Sequence, residues 1–157
     1  MKRLLVATLL AGLAASAGHA ALGETLAQLR EHMGKPEPQV RKDVVVWFYE
    51  VEDGRLVYTV TFNAQGVSIA EGLKPLKRAI FTKDAAEDFI HAQLAAVKGS
   101  KTVRAFKPGE KYSFGGQWFT CTEEEYATVD EANDLVIVWN RSRAPSVMAF
   151  RREMLGK

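Results

Sequence analysis

Cys121 is the only cysteine in the chain and the first residue to test for covalent chemistry. A thiol becomes a nucleophile when a base or a positive field draws off its proton. Beyond residue 20 the chain supplies only His32 and His91, both in stretches with helical apolar spacing. Cys121 alternates with Gln117 and Phe119, a strand pattern that buries it as a small hydrophobe. A single cysteine excludes an intrachain disulfide. Two histidines, with no H-x-x-x-H or C-x-x-C spacing, fall short of a zinc set. His91 follows Asp88 closely enough to pair with it on a helix surface.

The charged runs suggest no reaction either. Glu123, Glu124 and Glu125, with Asp130, Glu131 and Asp134, form an acidic stretch. Lys98, Lys101, Arg104, Lys107 and Lys111 form a basic one before it. The acids lack the D-x-D-x-D-G loop that calcium favours, and opposite runs this close commonly face each other across hairpins. Nothing marks a glycosidase pair of carboxylates, and no G-x-S-x-G elbow is present. Gly115-Gly116 is a diglycine with no helix behind it to cradle a phosphate. No catalytic residue, metal or cofactor is assigned.

The aromatic residues are more informative. Trp47 and Tyr49 share one strand face, and Phe48 takes the other. Trp118 alternates against Phe119, and Trp139 stands just before a polar turn. A sheet that faces core on one side is usually polar on the other, yet Val46 and Phe48 oppose Trp47, Tyr49 and Val51. Either that strand is covered on both sides, or one face is an exposed aromatic platform. Trp and Tyr dominate interface hot spots, so Trp47, Tyr49, Trp118 and Trp139 are the candidate protein-binding residues.

The elements that must hold these residues follow from caps and periodicity. Thr25 with Gln28 forms a capping box, Leu26, Leu29 and Met33 give an apolar face, and Gly34 with Pro36 ends the helix. Val44 to Val51 and Leu56 to Phe62 read as a hairpin turning at Asp53-Gly54. A short strand near Val67 to Ala70 follows, and Gly72 to Arg78, with Pro75, reads as a linker. Thr82 caps a second helix whose stripe includes Ala85, Phe89 and Ala92, with Gly99 as its stop. Strands are then predicted at Thr102 to Phe106, on both sides of Gly115-Gly116, and at Tyr126 to Val129, Leu135 to Asn140 and Ser146 to Phe150.

Helix then hairpins, twice, predicts an α+β class: two tandem helix-plus-antiparallel-sheet units, 21–78 and 79–157, sharing one sheet or packed as one compact domain. Leu56-Val57-Tyr58-Thr59-Val60 is echoed by Leu135-Val136-Ile137-Val138-Trp139.

Residues 1–20 read as a secretory signal peptide. Lys2 and Arg3 precede an apolar run from Leu4 to Ala15, and small residues surround a cleavage point after Ala20. The run is shorter than the roughly 20 residues of a spanning helix, so no stable membrane anchor is expected. The chain carries 21 Lys and Arg against 19 Asp and Glu; with Lys2 and Arg3 in the leader, the exported part holds 19 of each sign. A balanced charge gives no reason to expect nucleic acid as a partner. Composition is that of an ordinary globular domain, 47% hydrophobic and 25% charged.

The run Gly23-x-Thr25-x-x-Gln28-Leu29, followed by Gly34-x-Pro36, resembles the opening helix of the SmpA/OmlA (BamE-like) family of bacterial envelope proteins. The doubled unit is similar to the tandem architecture of β-lactamase inhibitor protein. The chain departs from both, lacking the lipidated cysteine of the first and the disulfides of the second. The resemblance implies a fold and a binding role, and no site residue is carried over.

The sequence thus predicts an exported, periplasmic or secreted, non-enzymatic domain that binds another envelope protein through a sheet face. The rivals are a small envelope enzyme or ligand carrier with a pocket near Cys121, and a structural subunit that self-associates along an edge strand.

Overall fold

The computed structural model describes residues 22–38, 41–77, 79–97 and 99–156. The expected signal peptide and its cleavage point lie outside the described residues.

Leu26–Met33 forms α1 with the full capping box: Thr25 accepts the Gln28 amide while the Gln28 side chain takes the Thr25 N–H. Gly34 closes the helix at φ 77°, and its N–H returns to the Arg30 carbonyl. β1 (Val44–Val51), β2 (Gly54–Phe62) and β3 (Ser68–Leu76) then form a meander. α2 (Lys83–Ala95) starts at Thr82, whose hydroxyl caps the Ala85 N–H. β4 (Arg104–Phe106), the hairpin β5 (Lys111–Phe114) and β6 (Gln117–Thr120), then β7 (Glu125–Asp130), β8 (Leu135–Asn140) and β9 (Ser146–Phe150) complete the α+β fold. Both glycines of the β5–β6 turn take positive φ, 57° at Gly115 and 79° at Gly116, the backbone a tight hairpin requires.

Seven strands make one antiparallel sheet in the order β1-β2-β3-β9-β8-β7-β4. The sheet runs through both halves of the sequence, because β9 returns to pair with β3 from Ala70 to Leu73. The stretch expected as a linker at Gly72 to Arg78 is strand as far as Leu76, held by β2 partners out to Leu76↔Arg55. Pro75 is tolerated because β9 has already ended at Leu73, leaving β3 with one neighbour there.

The two ends of the sheet are covered on opposite faces. On one face α1 and α2 press Leu29, Ala86 and Phe89 onto Trp47, Tyr58, Leu73 and Val147. Tyr58 is the hub, edge-on to Trp47 at 6.5 Å and to Tyr49 at 6.3 Å, and tilted against Phe89 at 5.8 Å. On the other face the β5–β6 hairpin lays Tyr112 and Phe114 over Ala127, Val129 and Val136.

Both sheet edges are blunted. β4 pairs through only three residues, and the Val46 carbonyl on β1 accepts the Glu37 N–H at 2.9 Å. Short or covered edges resist strand addition. Among the described residues, no helix is long and apolar enough to cross a membrane.

Candidate functional site

Strand register fixes which side chains share a face, since directly paired residues of an antiparallel ladder point the same way. One row crosses the sheet as Trp47–Tyr58–Leu73–Val147–Trp139–Tyr126. The next row on the opposite face runs Val46–Thr59–Gly72–Met148–Val138–Ala127–Phe106. The first row is under the helices at its β1 end. The second is under the hairpin at its β4 end.

The expected platform is therefore on the wrong face. Trp47 is 3% exposed, and its indole N–H donates to the Gly34 carbonyl at 3.1 Å. Tyr49 is half-buried against the same core, and burial, then the nearby Glu71, pushes its hydroxyl pKa up to about 12. The physical reason is the hairpin register, which places Trp47 and Tyr49 beside Tyr58 and Leu56, the bulkiest apolar row available to the helices.

Trp139 shares the Trp47 face, four strand spacings away across β2, β3 and β9, or roughly 19 Å at ordinary strand spacing. It is half-buried, and Arg141 covers both its ring, at 5.1 Å, and that of Tyr126, at 5.6 Å. Trp118 is 76% exposed on the outer side of the β5–β6 hairpin, opposite Ser113. The four candidate aromatics thus do not form one site.

The row that is bare was not singled out from sequence. Phe48, 37% exposed, and Met148, 45% exposed, lie on the face opposite α1 and α2, with Val46, Val57 and Thr59 around them and the exposed Lys74 beside Val57. Gly72 lies beneath Met148: a Cβ built at Gly72 would sit 3.9 Å from the Met148 Cβ and Cγ. Arg55 stacks over the Phe48 ring at 5.8 Å while holding Glu50 at 2.6 Å, and so provides a polar rim. An apolar strip of aromatic and methionine side chains with an ion-paired rim has the composition of a binding surface.

Chemistry has less to work with. Cys121 is buried beneath the hairpin with Tyr112 and Ala127. Burial, then Glu125 and Glu110, holds its thiol pKa up and disfavours the thiolate. The open cleft between α1 and the segment after it, about 290 Å³, is lined by Leu26, Arg30, Pro36 and Val45, on the α1 side of the molecule. Among the described residues, no three of His, Cys, Asp and Glu are grouped to hold a metal. His32 instead pairs with Glu24 at 3.4 Å.

No family model, no curated protein and no solved structure matches this chain.

Two carboxylates are sealed inside. Asp130 accepts from Thr102, and from Asn133 at 2.8 Å. Burial alone would raise its pKa, but hydrogen bonds from Ser100, Thr102 and Asn133 outweigh burial and lower it. Glu71, 1% exposed, accepts from Tyr58, from Gln93 at 2.8 Å and from Ser68 at 3.2 Å. Here burial wins over the three donors, and the Glu71 carboxyl is held above the ordinary glutamate range. Neither acid opens onto a cleft lined by the residues named above. Both tie neighbouring segments together through their hydrogen bonds.

Proposed function

We propose that this protein is an exported protein-binding domain of the bacterial envelope, which docks a partner on the bare face of β1-β2-β3-β9. The observation that carries this reading is the exposed Phe48–Met148 strip on the face opposite α1 and α2, beyond the cluster under the β5–β6 hairpin. The platform expected from sequence is kept in kind and moved to the other side of the same strands. Phe and Met both suit such a role, because they are enriched in interfaces and adapt to a partner's shape. The partner is a protein presenting an apolar surface, as the exposed Phe48 and Met148 side chains require.

The competing readings have weaker support. Edge-strand self-association would have to start from a three-residue β4 or from a β1 already met by Glu37. An enzyme centred on Cys121 would need a thiolate that its surroundings disfavour.

The test is site-specific photocrosslinking in cells that export the full chain. A photoreactive phenylalanine is placed at Phe48, at Met148, or at Lys83 on the helix side as the control. Adducts from 48 and 148 to the same protein, absent from 83, support the reading. Adducts from 83 alone, or from none of the three, overturn it.

A further inference from the structure

The segment from Leu22 to Thr25 lies across the start of β3 as a strap, and its polar contacts converge on one buried acid. Gly23 N–H donates to the Ser68 carbonyl and to the Ser68 hydroxyl, both at 3.0 Å. Glu24 N–H reaches the same hydroxyl at 3.2 Å, and the Ser68 N–H returns to the Glu24 carbonyl at 2.9 Å. Leu22 N–H donates to Gln93 Oε1 at 3.2 Å, and Arg151 holds the Leu22 carbonyl at 3.1 Å. Thr25 bridges to Val67.

These contacts fix the direction of the protons. The Ser68 oxygen accepts from the strap, so its own proton goes to Glu71. The Gln93 carbonyl accepts from Leu22, so its amide group goes to Glu71. Two of the three side chains that hold Glu71 therefore also hold the strap. Strap and acid are coupled through Ser68 and Gln93.

The surroundings of the acid decide the sign of that coupling. Tyr58 on β2, Tyr49 on β1 and Glu24 on the strap lie beside Glu71, and the Arg151 guanidinium, on the same sheet face, is engaged by the Leu22 carbonyl. Glu71 forms no ion pair with a cation among the described residues, and Glu24 adds a second negative charge. Ser68, Gln93 and Tyr58 are neutral; with Ser68 and Gln93 committed as donors, the Tyr58 hydroxyl is the group that turns to accept the proton of a neutral Glu71 and donates to a charged one. A carboxylate in this site has lost its water and gained no counter-charge.

We propose that Glu71 is a proton-operated latch on the N-terminal strap, which is held closed while the buried carboxyl keeps its proton and loosens when that proton leaves to solvent. Loosening lets water reach the charge past Leu22 and Gly23. The closed strap binds the proton more tightly than the open one, so rising pH opens it.

The test is hydrogen exchange at the amides of Leu22, Gly23 and Glu24 in the purified protein, expressed as protection relative to the free peptide. Protection is expected to fall at least tenfold from about pH 5 to about pH 8 in a single step, while the Val60 amide in central β2 keeps its own. Glu71→Gln should flatten the step. His32 pairs with Glu24 on the strap, so His32→Gln must retain the step. Loss of the step in His32→Gln, or its survival in Glu71→Gln, overturns the proposal. Flat protection in the unaltered protein does so too. Should Glu71→Gln not fold, the Glu71 carboxyl carbon is titrated by NMR in the unaltered protein. A midpoint matching that of the strap supports the latch, and a mismatch overturns it.

Discussion

The Ser68 hydroxyl, 3.2 Å from Glu71 Oε1, is shared between a buried acid on its own strand and the backbone of the strap that crosses it. One oxygen accepts two N–H groups and passes its proton on. Such an arrangement cannot lose its central atom without stranding several groups at once, because a buried donor or acceptor without a partner costs far more than an average hydrogen bond contributes.

Ser68→Ala is therefore expected to destabilise the fold by about 2–4 kcal/mol, more than one ordinary hydrogen bond. Urea denaturation against the unaltered protein measures it. A loss under about 1 kcal/mol would mean that water enters and takes over the hydroxyl's contacts.

The two sealed carboxylates should show opposite pH signatures. Burial raises Glu71, so the folded protein holds that proton more tightly than the unfolded chain does. Its contribution declines as pH rises from the ordinary glutamate range, about 4.3, through its folded value. Asp130 is lowered by its donors against the opposing effect of burial. Its contribution is present above the ordinary aspartate range, about 3.9, and fades as pH falls through the lower folded value. Denaturation of Asp130→Asn from pH 2.5 to 8 should show its deficit closing in acid. The deficit of Glu71→Gln should instead shrink toward neutral pH. Parallel curves for the two variants would contradict both assignments.

Caps and strands were legible because they are local. Thr25-x-x-Gln28 places a capping box, and β8 lies where its β-branched run stands. The error at Gly72 to Arg78 came from treating Pro75 as a breaker, when what decides is whether a second strand pairs there, and β9 does not. The choice of sheet face failed on register. Leu56, Tyr58, Val60 and Phe62 form the heavier row, and the tight turn pairs Val51 with Gly54, which puts Trp47 in that row and Phe48 beside the threonines. The hairpin offered this information, since a turn at Asp53-Gly54 would still pair Trp47 with Val60 of the same row. Met148 over Gly72 was out of reach, because nothing local says that β9 docks on β3.

The two tryptophans at opposite extremes of burial give a direct check on the faces. Trp47→Ala should cost about 3–5 kcal/mol, since it empties a packed site and strands the Gly34 carbonyl. Trp118→Ala, on the solvent side of the hairpin, should stay within about 0.5 kcal/mol. Comparable losses at both positions would refute the covering pattern described for the sheet.

Gly54 is required by close approach. A Cβ there would lie 2.8 Å from the Ala79 Cβ and 3.0 Å from the Ala79 Cα, with φ at 156°. Gly54→Ala should then destabilise by more than about 1 kcal/mol, against the few tenths that alanine commonly gains over glycine in an unstrained strand. The double variant Gly54→Ala, Ala79→Gly should recover part of the loss, because it removes the opposing methyl. Thermal unfolding of the four-member cycle tests this, and full additivity would show that the two sites do not touch.

Cys121 offers the last check, because its chemistry and its position make the same prediction. The side chain sits under the hairpin among Tyr112, Phe114 and Ala127, and its N–H and carbonyl are tied to Glu110 and Gly109. Burial comes first in raising its thiol, and the carboxylates of Glu125 and Glu110 add to it, so little thiolate forms at neutral pH. Both effects slow attack on a disulfide reagent, one by access and the other by charge. Labelling with an aromatic disulfide near pH 8 should run at least ~100-fold slower in the native protein than in urea, and its rate should track the opening of the β5–β6 hairpin as denaturant is added. A native rate close to the unfolded one would place the thiol at the surface and reopen an enzymatic reading centred on it.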